Sequence, residues 1–282
     1  MKKFFQIIGI TSLACFSFIF TEKTAITLRD NDQLMKVIKE ESISYKVESS
    51  NAILNDKTII PGINGKSVNN NKSYDNMKRF GEFNENMLIY DVIFPEISIK
   101  NIYNKYVVGG NPKKNMVSLL LKIDSSDDVN EVINILEPNT PINFFIDGKW
   151  LENNEHNLKR LTDLNYNIGN LSYNNNYSDS NFVWIKTIIN KYSKQENSYC
   201  YLEVENDEAL NICSLQKSYT IIPSIVVKNN PLIEVKTALK SGDIISLELN
   251  SKAMQELPLI IKYVKSKGYV LASLDDHLSE DM

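Results

Sequence analysis

The segment MVSLLLKI, residues 116–123, constrains the fold of this chain most strongly. A nearly continuous apolar run of this length is typical of a strand buried on both faces of a parallel sheet. A helical pattern follows at 129–138 and ends at Pro138, and a second buried strand, INFFIDG, follows at 142–148. Because neighbouring parallel strands need a crossover connection, this order predicts an α/β fold.

The alternation of strands and helices continues to the end of the sequence. Further helices are predicted at 153–165, 182–194, 232–240 and 256–267, and further strands at 166–170, 218–227, 242–250 and 269–274. No Gly-rich phosphate loop interrupts the pattern, and the number of units favours a barrel over an open sheet. We therefore predict a distorted (β/α) TIM-like barrel over residues 111–282, with any ligand at the carboxyl ends of its strands.

Residues 23–110 have a different character, because they are polar and rich in Asn. A short amphipathic helix is predicted at 30–41, a turn-rich stretch at 59–68 and a strand-like run at 87–94. No long core element is present in this part of the sequence. We predict a small α+β extension that accompanies the barrel.

The first 22 residues predict a membrane anchor. Lys2 and Lys3 precede an apolar run from Phe4 to Phe20, which is about the shortest length that spans a bilayer as a helix. The two lysines predict an N-terminus inside the cytoplasm and the rest of the chain outside it. Two alternatives remain open: a secreted protein after signal cleavage, and lipidation at Cys15, which meets its sequence rule only in part.

Charge and histidine content exclude several classes of function. The net charge is −4 with mixed signs along the chain, which argues against a nucleic-acid partner. The chain has only 2 His, so few residues are available for a mechanism that uses histidine as a metal ligand or general base. His156 and His277 both lie in polar runs, and we predict that both are solvated surface residues.

The cysteines point to no metal motif. The chain has 3 Cys, of which Cys15 lies in the apolar run and Cys200 and Cys213 lie far from it. Two cysteines do not make a disulfide framework, although these two could pair, and their spacing does not match CxxC. We predict buried free thiols at Cys200 and Cys213.

Two long segments resemble a known family. INFFIDGKWLENNEHNLKRLTDLNYNIGNLSYNN (142–175) and GDIISLELNSKAMQELPLIIKYVKSKGYVLASLDDHL (242–278) are similar to the central and last units of the polysaccharide deacetylase (NodB-homology) family, which is of the carbohydrate esterase type. The resemblance covers about 115–279. Its framework residues are Phe144, Phe145, Gly148, Trp150, Ile168, Gly169, Asn170, Pro258, Gly268 and Tyr269.

The resemblance implies a specific chemistry in the family's enzymes. A divalent metal, usually zinc, is held there by one Asp and two His, a second Asp acts as base, and a late His acts as acid. The metal lowers the pKa of a bound water, which attacks an N- or O-acetyl group of a glycan.

This chain departs from the family at each of those positions. The base position is Lys122, the metal-Asp position Ile123, the two metal-His positions Leu171 and Asn175, the Arg-x-Pro-Tyr segment begins at Tyr199, and the late His position is Glu248. A shifted alignment brings Asp124 near the metal-Asp position but restores neither histidine. Isoleucine and leucine cannot ligate a metal, so we predict no metal, no cofactor and no catalytic residue.

The resemblance without its site predicts a catalytically inactive, deacetylase-like protein on the outside of the cytoplasmic membrane. Its partner would be a cell-wall glycan or an envelope protein. The residues compatible with sugar binding are Tyr173, Asn174, Asn175 and Tyr201. Ordinary loop polarity explains these residues equally well.

The alternative is an active deacetylase or hydrolase of the envelope with non-standard residues. Lys122, Glu248 and Asp124 are its candidates, with Glu203 and Glu205 as further carboxylates. No spacing rule selects a catalytic pair among them. We prefer a structural ion pair between Lys122 and Glu248 in place of the metal site.

Overall fold

The computed structural model describes residues 17, 24, 26–124, 129–174 and 176–281. It divides into two compact units, one formed by Met1–Ser49 and Asn64–Phe94, the other by Ser50–Ile63 and Pro95–Met282. The larger unit thus includes 50–63 and 95–110, which lie within the predicted extension of residues 23–110.

The predicted anchor over residues 1–22 and Cys15 within it lie outside the described residues, apart from Ser17. Among the helices of the described part of the chain, none combines the length and the apolar character needed to cross a bilayer.

In the described residues, the small core of the smaller unit lies among the helices Gln33–Glu41 and Asn70–Met77 and a two-stranded sheet. In that sheet Gly65–Val68 pairs antiparallel with Tyr90–Ile93. The Asp32 side chain accepts a hydrogen bond from the amide of Leu34 at 2.8 Å and so begins the first helix. The core residues are Leu34, Ile38, Met77 and Leu88.

Among its described residues, the larger unit contains eleven strands of one sheet and seven α-helices. We number the strands β1 Ile53–Leu54, β2 Thr58–Ile60, β3 Tyr106–Val107, β4 Met116–Ile123, β5 Asn143–Ile146, β6 Asn167–Asn170, β7 Ser198–Tyr201, β8 Ser218–Ile221, β9 Ile225–Val226, β10 Ile244–Glu248 and β11 Val270–Leu271. We number the helices α1 Val129–Ile135, α2 Gly148–Asp163, α3 Asp179–Tyr192, α4 Asp207–Leu215, α5 Pro231–Ala238, α6 Ser251–Ser266 and α7 Leu274–Leu278.

The strand order confirms the α/β class and shows that the sheet of the predicted distorted TIM-like barrel is a half-barrel. The order is β1-β2-β3-β8-β7-β6-β5-β4-β10-β9, with β11 paired to β4. All pairs are parallel except β1 with β2. In the described part of the chain, β1 and β9 end the path without pairing to each other, so the sheet is a curled, open half-barrel.

Strand β4 lies inside this sheet and separates two apolar cores. Val117, Leu119 and Leu121 point to the outer core, where α2, α3 and α6 cover the sheet. Leu120 points to the inner core on the concave face, together with Phe145. Both faces of β4 are buried, which is why its sequence is nearly continuously apolar.

The seam between β6 and β7 is closed by side chains. The two strands share one register pair, Asn170 with Cys200. At the amino end, the Gln195 amide accepts from the Ile168 amide at 2.8 Å and donates to the Ile168 carbonyl at 2.8 Å. At the carboxyl end, the Tyr177 hydroxyl accepts from the Tyr201 amide at 3.1 Å and lies 2.7 Å from its carbonyl. Two side chains therefore take the place of ladder hydrogen bonds.

Several element predictions were wrong in detail. Helix α2 begins at Gly148 rather than 153, because Asp147 accepts from the Lys149 amide at 2.8 Å and caps it. The short, polar strand β7 and helix α4 were not predicted. The stretch 59–68, predicted as turns, contains strand residues in each of the two units.

Two side-chain predictions were also wrong. Cys200 and Cys213 form a disulfide, because Cys200 on the outer face of β7 meets α4 with a Cα–Cα distance of 6.3 Å. His277 is fully buried rather than solvated, whereas His156 is exposed as predicted. Of the neighbouring acids, Asp276 is exposed, whereas Asp275 is half-buried and Glu280 is buried.

Candidate functional site

The carboxyl ends of β4 and β10 bring a lysine between two glutamates. Lys122 and Glu248 are register partners on these strands. The Lys122 ammonium lies 2.8 Å from Glu248 Oε1 and 2.6 Å from Glu203 Oε1, and Glu203 follows β7. The Lys122 side chain is 14% exposed, so its charge is largely removed from water and held by these two partners. The ion pair between Lys122 and Glu248 expected from the sequence is present, with Glu203 as an additional partner.

The charges of this group are fixed by their mutual contacts. Desolvation lowers the pKa of Lys122, but the hydrogen bonds with Glu203 and Glu248 outweigh it and hold the pKa above its usual value. The hydrogen bond from Lys122 lowers the pKa of Glu203, against a smaller opposing effect of burial. Lys122 therefore stays protonated and Glu203 stays ionised near neutral pH.

An apolar and hydroxyl layer lies beneath the lysine. The Lys122 ammonium is 5.3 Å from the centroid of the Tyr201 ring, a cation–π distance. The Tyr201 hydroxyl shares a 2.9 Å hydrogen bond with Ser246. Leu171 and Phe145 belong to the same inner core. The concave face under the lysine is thus filled with side chains.

The loop that resembles the family's metal-binding segment has a tightly defined backbone. Ser172 and Asn174 have positive φ values of 61° and 50°. Ser172 is fully buried, and its hydroxyl donates to the Asn176 carbonyl at 2.7 Å. A Cβ on Gly169 would lie 2.1 Å from the ring of Phe145, so only glycine fits there. Hydrogen bonding and close packing thus define the backbone of this turn.

The other predicted site residues are distributed over the unit. The Tyr173 hydroxyl donates to Glu152 at 3.0 Å, and Asn174 is exposed. Ile123 is buried in the outer core, on the opposite face of β4 from Lys122. Asp124 is exposed just after that strand. Asn175 lies outside the described residues.

Two further candidates have partners of their own. The Tyr199 hydroxyl donates to Asp275 at 2.5 Å, at the amino ends of the strands and not beside Lys122. Glu205 lies 3.6 Å from the Lys57 ammonium. The structure therefore brings together Lys122, Tyr201, Glu203 and Glu248. Glu203 was one of several sequence candidates, and only the placement of β7 beside β6 selects it.

The residues at the family's metal position do not fit a metal. Leu171 and Ile123 offer no donor atom, and the protonated Lys122 repels a cation. No cluster of three or more His, Cys, Asp or Glu in the described part of the chain is arranged to hold a metal ion.

The amino ends of the strands are tied together by the C-terminal segment. Asp275 accepts from Asn167 and Asn197, both at 2.9 Å, and Ser118 lies 2.8 Å from His277 Nδ1. Glu280, 3% exposed, accepts from the amides of Gly62 at 3.1 Å and Ile99 at 2.9 Å. It also accepts from the Ser98 hydroxyl. This network holds the strands at the end opposite to Lys122.

Comparison with known proteins identifies the fold. No protein-family model matches the sequence. The chain is 24% identical over 278 residues to the uncharacterized protein YlxY of Bacillus subtilis (strain 168), an alignment that covers 91% of this chain and 87% of that protein.

Solved structures give the same result in three dimensions. BA3943 of Bacillus anthracis, described as a CE4 family pseudoenzyme, matches with a TM-score of 0.68 and 22% identity over 89% of this chain and 96% of that chain. A mutant of BA3943, described as having restored enzymatic activity, also matches with a TM-score of 0.68.

An enzyme of the same fold matches over a smaller part. PdaA of Bacillus subtilis, described as a family 4 carbohydrate esterase, matches with a TM-score of 0.53 and 20% identity over 62% of this chain and 85% of that chain. The resemblance to the polysaccharide deacetylases is thus confirmed at the level of structure, and the chain has the fold of the family 4 carbohydrate esterases.

Proposed function

We propose that this chain is a degenerate, catalytically inactive relative of the family 4 carbohydrate esterases that acts as a glycan-binding or scaffold protein of the cell envelope. The observation that carries the proposal is the ammonium of Lys122, held by Glu203 and Glu248 where the family's enzymes would place their catalytic base. A protonated lysine cannot remove a proton from water, and its charge opposes a metal ion.

The description of the BA3943 mutant supports this reasoning. That protein is called a pseudoenzyme, and its mutant is described as having restored enzymatic activity. A scaffold of this type can therefore carry chemistry when its residues allow it. For the present chain we attribute the loss to the residues at the strand ends and not to the fold.

Two observations support a place outside the cytoplasm. Lys2 and Lys3 precede the apolar run of residues 4–20. The disulfide between Cys200 and Cys213 is the kind of bond that persists in oxidising compartments. We propose that the larger unit faces the cell wall, where a glycan or an envelope protein is its partner.

The proposal is tested by metal analysis and turnover assays on the purified full chain. We expect zinc well below one equivalent after dialysis against zinc, and no acetate release from acetylated chitooligosaccharide or peptidoglycan. PdaA serves as the positive control in the same assays. Stoichiometric zinc would contradict the proposed loss of the metal site, and acetate release that is lost in Lys122→Met would show that the chain is an enzyme.

The alternative, an enzyme with replaced catalytic residues, needs a carboxylic acid that is protonated at neutral pH. The hydrogen bond from Lys122 moves the pKa of Glu203 in the opposite direction. Asp124, the other carboxylate candidate, is exposed just after β4. The geometry therefore favours the inactive protein, and binding assays on insoluble peptidoglycan distinguish a glycan partner from a protein partner.

A further inference from the structure

The turn that follows the helix Asn70–Met77 of the smaller unit exposes an aromatic side chain. Phe80 is 67% exposed, although phenylalanine is among the residues most often buried. The amides of Phe80 and Gly81 both donate to the Met77 carbonyl, at 2.8 Å and 3.3 Å. Gly81 has a φ of 74°, and a Cβ there would meet no atom within 4 Å. The turn is thus fixed to the end of the helix while Phe80 faces solvent.

This turn lies beside the residue at which the helix Gln33–Glu41 begins. The side chain of Asp32 caps that helix, and it also accepts from the Tyr74 hydroxyl at 3.1 Å. A cavity of about 260 Å³ is lined by Asp32 on one side and by Lys78 and Gly81 of the turn on the other. The turn and the beginning of the helix therefore lie side by side at one end of the smaller unit.

The sequence limits how far this end can lie from the predicted anchor. Asp32 follows Phe20, the last residue of the apolar run, by 12 residues. Residues 26–31 are helical, so they span only about 9 Å, and the stretch 20–25 before them spans at most about 21 Å. With the apolar run in a bilayer, Asp32 and the adjacent turn lie within about 30 Å of the lipid surface.

The residues at this end combine apolar side chains with a basic one. Leu28, in the helical stretch that leads from the apolar run, is 69% exposed. Arg79 is exposed next to Phe80 and forms no ion pair with another described residue, whereas the nearby Asp30 pairs with Lys39 at 3.1 Å. Exposed Phe and Leu beside a basic residue are typical of protein surfaces that enter the headgroup region of a membrane.

We propose that this end of the smaller unit docks on the surface of the membrane in which the chain is anchored, with Phe80 and Leu28 at the boundary between headgroups and acyl chains. Arg79 binds lipid phosphates, which a guanidinium contacts through parallel hydrogen bonds. Because Glu82 balances the charge of Arg79, the apolar side chains supply most of the attraction. The proposal rests on the membrane anchor predicted for residues 1–22 and is independent of Lys122 and its partners.

The first test measures the depth of position 80 in the bilayer. The full chain is incorporated into vesicles of phosphatidylcholine and phosphatidylglycerol whose acyl chains carry bromine, a contact quencher of tryptophan, near the headgroups. Ile43 lies just after the other end of the helix Gln33–Glu41 and is 76% exposed, so Ile43→Trp is the matched control for Phe80→Trp.

The signal of Trp150 and Trp184 in the wild type is subtracted from that of each variant. We expect bromine to quench about half or more of the added fluorescence in Phe80→Trp, because side chains at this boundary lie about 5–10 Å deep. The added fluorescence of Ile43→Trp should be unaffected. A thermal melt of each variant verifies folding.

The second test separates docking from anchoring. In the Phe80→Trp background, Arg79→Gln should lower the ratio of docked to undocked chains by up to about fivefold, whereas Lys46→Gln, at an exposed lysine after the other end of the helix, should not. Flotation of the vesicles after a carbonate wash reports on the anchor alone. Chains that float while Phe80→Trp is quenched no more than Ile43→Trp would overturn the docking and leave the anchor intact. Chains that do not float would overturn the anchor and the docking together.

Discussion

Lys122 determines the chemical character of the carboxyl ends of β4 and β10. At the position of Lys122 the family's enzymes need a carboxylate that accepts a proton, whereas this side chain donates hydrogen bonds to two carboxylates. Because the lysine is 14% exposed, its removal leaves Glu203 and Glu248 without their counter-charge. The residue that pairs these two carboxylates is thus also the one to which we attribute the proposed loss of catalysis.

Replacement of Lys122 by Met should raise the pKa of Glu203, since the hydrogen bond that lowers it is lost. In the wild type, a lowered folded-state pKa means that Glu203 stabilises the fold above its unfolded-state pKa of about 4.3, and this contribution disappears as the pH falls through the folded-state pKa. NMR titration of the Glu203 carboxyl measures the shift. Chemical denaturation at pH 7 should show a loss of about 1–3 kcal/mol.

Lys159→Met is the control for that experiment. The Lys159 ammonium pairs with Asp163 at 2.5 Å on the surface of α2, where the lysine is 57% exposed. Its loss should leave the pKa of Glu203 unchanged and alter stability by less than about 0.5 kcal/mol. An unchanged Glu203 titration in Lys122→Met would contradict the assigned cause of the shift.

His277 should make stability depend on pH over a different range. Burial, with a smaller contribution from Lys114, lowers the pKa of His277 to about 3. Between pH 6.5 and about 3 the unfolded chain binds a proton that the folded chain does not. The free energy of unfolding therefore decreases as the pH is lowered through this range, by up to about 1.4 kcal/mol per pH unit. Urea unfolding at pH 7, 6 and 5 measures the slope.

His277→Gln should remove that slope above pH 5, because no imidazole remains to take up the proton. His156→Gln, at an exposed position, should keep the wild-type slope. An equal slope in the wild type and His277→Gln would assign the pH dependence to other groups.

At the scale of elements, the seam between β6 and β7 depends on Gln195 and Tyr177 instead of a full ladder. Gln195→Ala removes four hydrogen bonds, two with the backbone of Ile168, one to the Asn197 carbonyl and one from the Ser193 hydroxyl. We expect a destabilisation of about 1–3 kcal/mol and faster amide hydrogen exchange at Ile168. Gln255→Ala on the exposed side of α6 is the matched control. Unchanged exchange at Ile168 would show that the seam closes without this side chain.

The disulfide joins β7 to α4 in the same region. Its sequence separation is 13 residues, for which loop-closure entropy gives a stabilisation of about 3 kcal/mol. Denaturation of the wild type with and without reductant should show this difference. The Cys200→Ala, Cys213→Ala double variant should be insensitive to reductant, and an equal response of both proteins would place the effect elsewhere.

The elements that could be predicted are those in which a local pattern of apolar residues indicates which positions are buried. Strand β4 was recognised from its nearly continuous apolar run, and helix α1 because its apolar residues recur at helical spacing. Strand β7 was missed, since SYCY is short and two of its four residues are tyrosines on the inner face. The capping of α2 by Asp147 is likewise a local contact that periodicity does not show.

The site shows the same limit. Lys122 and Glu248 were placed together because they end two predicted strands. Glu203 lies beside Lys122 only because β7 pairs with β6 in the sheet. The Cys200–Cys213 bond likewise forms only because α4 packs on β7. Such contacts depend on tertiary arrangement, which a single sequence does not fix.

At the scale of the whole larger unit, the sheet depends on contacts between its first and last segments. Glu280→Gln removes the charge that three donors share, those of Gly62, Ser98 and Ile99. We expect a loss of about 1–3 kcal/mol and increased exchange at the Ile99 amide. Glu137→Gln, which is exposed and pairs with Lys265, should have little effect. Wild-type stability of Glu280→Gln would show that β2 and β3 hold without it.

The position of Glu280 near the end of the sequence also affects when the contacts around Gly62 can form during synthesis. It is separated from Gly62 by 218 residues, so the edge near Gly62 acquires this partner only after nearly the whole unit has been synthesised. Contacts of such long range slow folding, because the chain must lose much of its entropy before they form. A chain that leaves the ribosome or a translocation channel N-terminus first therefore carries its early strands in an unfinished state. A chaperone that shields exposed strand edges would find its substrate in that interval.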